Sequence, residues 1–269
     1  MQLGTLQRLD LPSRHTVARP IDIWLPPGYF DSNEAYPVLY MHDGQNLFDP
    51  ETSFAGIPWG MDKAISHLME QRVTRGLIVV GIWNRHPRRC DYMPEKPYRS
   101  SVFKDQHQAF IEWAGGEPVS DAYLKYLVHE IKPYIDSTFR TCPGQPDTWI
   151  MGSSMGALVS LYAISEYPDV FHGAGCLSTH WTAGKADLVR LMAQHLPDPA
   201  THKLYFDFGT RGLDSAYEPY QHLMDAYLQE AGYRKESNWL TCKFEGADHN
   251  EAAWAARVEI PLRFLLARP

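Results

Sequence analysis

Seven short apolar runs, spaced along the chain and separated by stretches of helical periodicity, leave few architectures open to this sequence. The runs are Ile21 to Leu25, Val38 to His42, Leu77 to Trp83, Thr148 to Gly152, Gly173 to Leu177, Leu204 to Phe208 and Trp239 to Phe244. They are short, rich in branched and aromatic residues and apolar on both alternating positions, as expected of strands covered on both faces of a mostly parallel sheet. The segment before Ile21 offers a further edge strand, and Pro26-Pro27-Gly28 closes the first run because proline cannot continue a ladder. Between the runs, Ala122 to Ile135 places Leu124, Leu127, Val128, Ile131 and Ile135 on one helical face, with Pro133 bending its end. Met155 to Tyr167 and Tyr217 to Ala231 also read as helices, and Glu251 to Leu266 reads as a final helix kinked or broken at Pro261. The 269 residues contain no repeat and no linker, so one α/β domain is expected. The stretch 84–120, rich in Arg, Pro, Tyr, Lys and Glu with weak periodicity, reads as a loop-rich insertion beside the site.

Composition excludes several classes of partner. A net charge of −7 argues against nucleic acid or an anionic membrane, both of which need a basic footprint. The longest apolar run, Gly76 to Trp83, is too short to span a bilayer, and the N-terminus lacks the basic and apolar regions of a signal peptide, so a soluble cytoplasmic protein is expected. The four cysteines, Cys90, Cys142, Cys176 and Cys242, are scattered without metal-ligand spacing and read as reduced thiols.

The sharpest chemical signal is Gly152-Ser153-Ser154-Met155-Gly156, a G-x-S-x-G pattern preceded by a strand and followed by a helix. Such a turn lifts the Ser154 hydroxyl above the sheet edge and aims the helix N-terminus at the reacting centre. A serine hydroxyl needs a base to become a nucleophile. Of the six histidines that follow Ser154, only His180 and His249 lie just beyond strand ends, and His249, after the last strand, is favoured. The carboxylate that orients the imidazole belongs between the two in sequence. Asp214 is favoured because it lies past a strand end; Asp207 within the strand and Glu218 remain alternatives. The backbone N–H groups of Met155 and Gln45, the latter in Met41-His42-Asp43-Gly44-Gln45-Asn46, are candidates for an oxyanion hole. Asn84, His180 and Trp181, at strand ends on the same edge, are candidate substrate contacts, with Trp83, Tyr92 and Tyr98 nearby in sequence.

Taken together, YPVLYMHDGQNLFDP, GIWN with RRCDYMP downstream, WIMGSSMGALVSLYAISEYPDVF, YFDFGTRGLD and FEGADHNEAAWAARVEIPLRFLL resemble the putative-esterase family of α/β hydrolases, from about Ile21 to Leu266. That group includes enterochelin-esterase-like proteins, feruloyl and acetylxylan esterase domains, esterase D and mycolyltransferases. The resemblance implies an α/β-hydrolase fold and a Ser–His–acid triad at Ser154, His249 and Asp214, with oxyanion amides at Gln45 and Met155. It implies a serine esterase acting on a small-molecule ester, with no cofactor and no metal. Alternatives with the same machinery are a thioesterase of the S-formylglutathione hydrolase type and an acyltransferase. A non-catalytic binding module is the reading from a different class.

Overall fold

The structure, a computed structural model, describes residues 4–267. Its frame is one eight-stranded sheet: β1 (Thr5–Asp10), β2 (Pro20–Leu25), β3 (Val38–His42), β4 (Ile78–Ile82), β5 (Thr148–Ser153), β6 (Gly173–Leu177), β7 (Lys203–Gly209) and β8 (Trp239–Phe244). The order is β1-β2-β4-β3-β5-β6-β7-β8. β1 pairs antiparallel with β2, and β2 with β4, while every pairing from β4 through β3 to β8 is parallel. The seven expected runs therefore all form strands, and the extra edge strand is β1. It is an exposed ribbon, because only one of its sides meets the sheet.

Side chains alternate between the two faces of the sheet, and each face has its own core. Tyr40, Val80, Ile150, Cys176 and Phe206 point into the larger one. Leu39, Met41, Val79, Met151 and Tyr205 point into the other. The helices that cover the sheet are α1 (Met61–Glu70), α2 (Arg88–Tyr92), α3 (Glu95–Tyr98), α4 (His107–Ala114), α5 (Ser120–Tyr126), α6 (Lys132–Thr138), α7 (Met155–Glu166), α8 (Lys185–Ala193), α9 (Glu218–Glu230), α10 (Glu251–Ala255) and α11 (Glu259–Leu266). α7 is buried on every side from Met155 to Ile164, so it carries no polar stripe. The expected α/β-hydrolase fold is thus the one observed. Among the described residues no helix is long and apolar enough to cross a membrane.

Three expectations need revision. The 84–120 stretch is not loop-rich: it folds into α2, α3, a 3₁₀ turn over Ser101–Gln106, and α4. These helices are too short to display a 3.6-residue stripe, and Cys90, Asp91, Tyr92 and Met93 are buried consecutively, which erases periodicity. The C-terminal break falls at Ala256 to Val258, between α10 and α11, and Pro261 lies in the first turn of α11. There its missing N–H breaks no intrahelical bond, so the helix starts around it instead of kinking. Upstream of Pro133, α5 and α6 are joined by a π-helical segment over Leu127–Ile131, in which the Lys132 N–H reaches back to the Leu127 carbonyl. The wider turn takes up the mismatch that a proline introduces.

Candidate active site

Parallel strands deliver their carboxyl ends to one edge, and Ser154, His249, Asp214, His180 and the loop of Gln45 gather there. Ser154 stands between β5 and α7 with φ 59° and ψ −120°, a sparsely populated backbone conformation that fixes the sharp strand-to-helix bend. The bend is tight enough that a Cβ on Gly152 would come within 2.8 Å of the Gly156 carbonyl group, so glycine is required there. The Ser154 hydroxyl lies 2.9 Å from His249 Nε2, and His249 Nδ1 lies 2.5 Å from Asp214 Oδ1. Because a carboxylate only accepts, Nδ1 carries the proton and donates to Asp214, which leaves Nε2 free to accept from Ser154. The other Asp214 oxygen accepts the Gly209 N–H and the Ser178 hydroxyl, each at 2.6 Å. Burial alone pushes the Asp214 carboxyl up, but the hydrogen bonds from His249, Ser178 and Gly209 outweigh it and hold the carboxyl below its usual range.

The two other candidate acids lie elsewhere. Asp207 is fully buried and takes both Arg257 Nε (3.1 Å) and Nη2 (2.9 Å), together with the Tyr205 hydroxyl and the Ser178 N–H (each 3.1 Å). Its lone pairs are spent on those four donors. Glu218 pairs at the surface with Lys243 at 3.0 Å.

The loop carrying Gln45 is held from several directions. Gly44 lies so close to β4 that an added Cβ would meet the Gly81 carbonyl at 2.4 Å. The Gln45 carbonyl accepts from the hydroxyls of Thr52 (2.7 Å) and Ser53 (3.3 Å), and its side-chain oxygen accepts the Asn84 N–H at 3.1 Å. Asp43, at φ 56°, is gripped by Arg88 through Nε (2.6 Å) and Nη2 (2.7 Å) and by the Asn84 amide at 2.6 Å. Burial opposes ionisation of Asp43, but Arg88 and Asn84 prevail and hold its carboxyl low. The N–H groups of Gln45 and Met155 stand at the first turns of Gly44–Asn46 and α7, where helical N–H groups have no intrahelical acceptor.

Beneath this loop His42 is buried and bonded through Nδ1 to the Tyr123 hydroxyl at 2.6 Å, and burial pushes its imidazole down to about 3. The folded protein therefore keeps His42 neutral at pH values where the unfolded chain protonates it. Stability must fall as pH drops below the ordinary histidine value of about 6.5. Urea unfolding is expected to give a stability about 2 kcal/mol lower at pH 5 than at pH 7.5 from this group. The same measurement on His42→Phe isolates the group, because the buried His180 acts in the same direction; a variant with the pH dependence of wild type would show that His42 is not held neutral.

The candidate substrate contacts divide. His180 lies at the site: its N–H donates to the Ser154 carbonyl at 3.2 Å, Nδ1 meets the Tyr217 hydroxyl at 2.6 Å, and its ring centre is 6.4 Å from that of His249. Burial, then the neighbouring His249, pushes its imidazole down to about 4. The ring stacks on Trp113 (6.2 Å, 11°) at the wall of a hollow of about 280 Å³, also lined by Tyr98, Gln106, Phe110 and Thr182. Asn84 is committed to the Asp43 and Gln45 contacts and positions the loop. Trp181 is a correction: it has no exposed surface, donates from Nε1 to Gln221 (2.9 Å) and stacks on Phe206, because the chain turns inward after His180. Tyr92 is likewise core, whereas Tyr98 is buried in the wall of the hollow. Sequence reasoning passed over Ser178, Arg88 and Trp113. Ser178 left a trace as a hydroxyl directly after a strand end, and Arg88 stands in the RRCDYMP stretch. Among the described residues no group of three or more His, Cys, Asp or Glu is arranged to hold a metal ion.

Comparison with known proteins gives a coherent picture. A family model described as putative esterase matches residues 17–261. The uncharacterized protein YbbA of Bacillus subtilis (strain 168) is 22% identical over 239 residues, covering 86% of each chain. An IroE-like serine hydrolase from Shewanella oneidensis superposes with a TM-score of 0.72 at 20% identity, over 96% of this chain and 79% of that one. The CE1 ferulic acid esterase of the anaerobic fungus Anaeromyces mucronatus does so with a TM-score of 0.62 at 18% identity, over 98% and 92%. At these identities the two structures share the fold.

Proposed function

The chain belongs to the family described as putative esterase, and from that premise we propose that it hydrolyses a carboxylic ester through an acyl-enzyme on Ser154. The observation that carries the reading is the unbroken line from Ser154 Oγ through His249 to Asp214, at 2.9 Å and 2.5 Å. Ser154 attacks the ester carbonyl while His249 Nε2 takes its proton, and the negative charge on the tetrahedral oxygen falls to the N–H groups of Gln45 and Met155. His249 then protonates the departing alkoxide, leaving the acyl group on Ser154 and the alcohol free. Water repeats the sequence: His249 accepts its proton, the hydroxyl adds to the acyl carbonyl, and the proton returns to Ser154 as the acid leaves. Asp214, held ionised by its three donors, keeps the imidazole in the required tautomer and balances the charge it gains.

The substrate is a small ester whose acyl or alcohol part enters the hollow beside His180. The aromatic lining from Tyr98, Phe110 and Trp113 favours a short or flat group, as in small acyl, phenolic-acid or sugar esters. The test is direct. An organophosphonate ester should form one adduct, located by peptide mass spectrometry on Ser154, with parallel loss of nitrophenyl ester hydrolysis. A panel of acetyl, butyryl, feruloyl and catecholate-lactone esters then ranks the acyl group. An adduct on any other residue, with hydrolysis lost, would overturn the assignment.

A further inference from the structure

Directly after β6 lies a hydroxyl with an unusual set of neighbours. Ser178 is fully buried, at φ 46°. Its oxygen is 2.6 Å from Asp214 Oδ2, 3.0 Å from Trp254 Nε1 and 2.9 Å from Arg257 Nη2. An indole N–H and a guanidinium only donate. Both lone pairs of the Ser178 oxygen are therefore taken, and its single hydrogen is left to point at Asp214. The polarity of this bond is imposed by its surroundings.

We infer that Ser178 is a positioning residue for the triad acid, its locked hydroxyl drawing charge away from the Asp214 oxygen that faces His249. The inference rests on the triad reading above. Its scaffold is the buried pair beneath: the Ser178 N–H donates both to the Asp207 carbonyl (2.9 Å) and to Asp207 Oδ1 (3.1 Å), while Arg257 holds the same carboxylate with two nitrogens. Two residues further on, His180 donates its N–H to the Ser154 carbonyl. The short segment from Ser178 to His180 thus ties the acid and the nucleophile to a single support. The segment that carries His249 closes the arrangement from the other side, for Trp254 packs edge-on against the His249 ring (5.0 Å, 80°) while its nitrogen holds Ser178. Asp207, one of the alternative acids in the sequence, acquires its role here as the anchor of Arg257.

The charged and titratable groups around His249 are Asp248, whose Oδ1 accepts the His249 N–H at 2.8 Å, Asp214 and Tyr217 from the segment after β7, His180 after β6, and Glu251 at the start of α10, with the Asp43–Arg88 pair on the far side of Glu251. Around Asp214 stand His249, Ser178 with Arg257 behind it, and Tyr217. Removing the Ser178 hydroxyl deprives Asp214 of one of three donors and takes from Trp254 Nε1 and Arg257 Nη2 the acceptor they share. More negative charge then faces His249, its protonated form is favoured, and protonated His249 cannot act as base.

The experiment measures kcat and KM for a short nitrophenyl ester against pH in wild type, Ser178→Ala and Ser178→Gly. Both variants lack the hydroxyl; glycine also relieves the φ 46° backbone that serine and alanine share, which offsets part of the cost of removing the acceptor of Trp254 and Arg257. The acid limb of kcat/KM is expected to move up by about half to one pH unit in each folded variant. Plateau kcat should fall by roughly tenfold with little change in KM. A structural role alone lowers the amount of folded enzyme without moving the limb. An unmoved limb in folded Ser178→Gly, with wild type active and Ser154→Ala inactive, would overturn the inference while leaving the triad reading intact. Inactive wild type that takes no phosphonate on Ser154 would instead overturn the triad reading and this inference with it.

Discussion

Ser154→Ala is expected to lower kcat/KM for a short nitrophenyl ester by on the order of 10⁴-fold or more, with the thermal unfolding curve close to that of wild type. The size follows from what is removed. Without the hydroxyl no acyl-enzyme forms, and only binding and the oxyanion amides of Gln45 and Met155 remain to assist attack by water. The fold is expected to survive because nothing structural hangs on the Ser154 oxygen. Among the described residues its hydrogen-bond partner is His249, whereas the Ser154 backbone is held by the Leu177 carbonyl, the His180 N–H and the first turn of α7. Alanine also tolerates φ 59° as well as serine does, since both carry an unbranched Cβ. A variant that keeps a tenth of the activity would show that the nucleophile lies elsewhere.

Asp214→Asn is expected to lower kcat by on the order of 10³ to 10⁴-fold. The surroundings decide how the new amide sits. Two donors, the Gly209 N–H and the Ser178 hydroxyl, face the Oδ2 side, so the asparagine oxygen must take that side and its NH₂ must face His249. His249 Nδ1 is then obliged to accept, its proton moves to Nε2, and Nε2 can no longer take the Ser154 hydrogen. Asp207→Asn gives the opposite pattern. It weakens a fully buried pair with Arg257 and is expected to cost about 3 kcal/mol of stability. Activity per folded molecule should stay within about tenfold of wild type, because Asp207 does not touch His249. Kinetics and urea unfolding on both variants separate the two. An active Asp214→Asn beside an inactive, folded Asp207→Asn would transfer the role to Asp207.

These two carboxylates show where sequence reasoning reaches and where it stops. Asp214 was readable because it follows a strand end and precedes His249 in the expected order. That Asp207 pairs with Arg257 was not, since Arg257 comes from a segment 50 residues away and only folding brings them together. Trp181 failed for a related reason. Its place after β6 matched that of His180, but one residue further along the turn the side chain points into the core. The short helices α2 and α3, from Arg88 to Tyr98, were invisible to periodicity because they are buried on several sides at once, while α4 is two turns long and buries only Phe110 and Ala114. That same stretch supplies Arg88, which steadies Asp43 in the loop that carries Gln45, and Trp113, which walls the hollow.

What the sequence by itself determined is the alternation of strands and helices, the serine on its bend and the order in which Ser154, Asp214 and His249 occur. These are local properties, set by side-chain periodicity, glycine spacing and the chemistry of neighbouring residues. Tertiary structure alone decided which carboxylate reaches His249, which tryptophan meets the hollow, and that a serine after β6 is pinned by Trp254 and Arg257 against Asp214. Those are contacts between segments far apart in the chain. Their distances depend on how strands stack side by side and where each loop turns, and no local pattern encodes that.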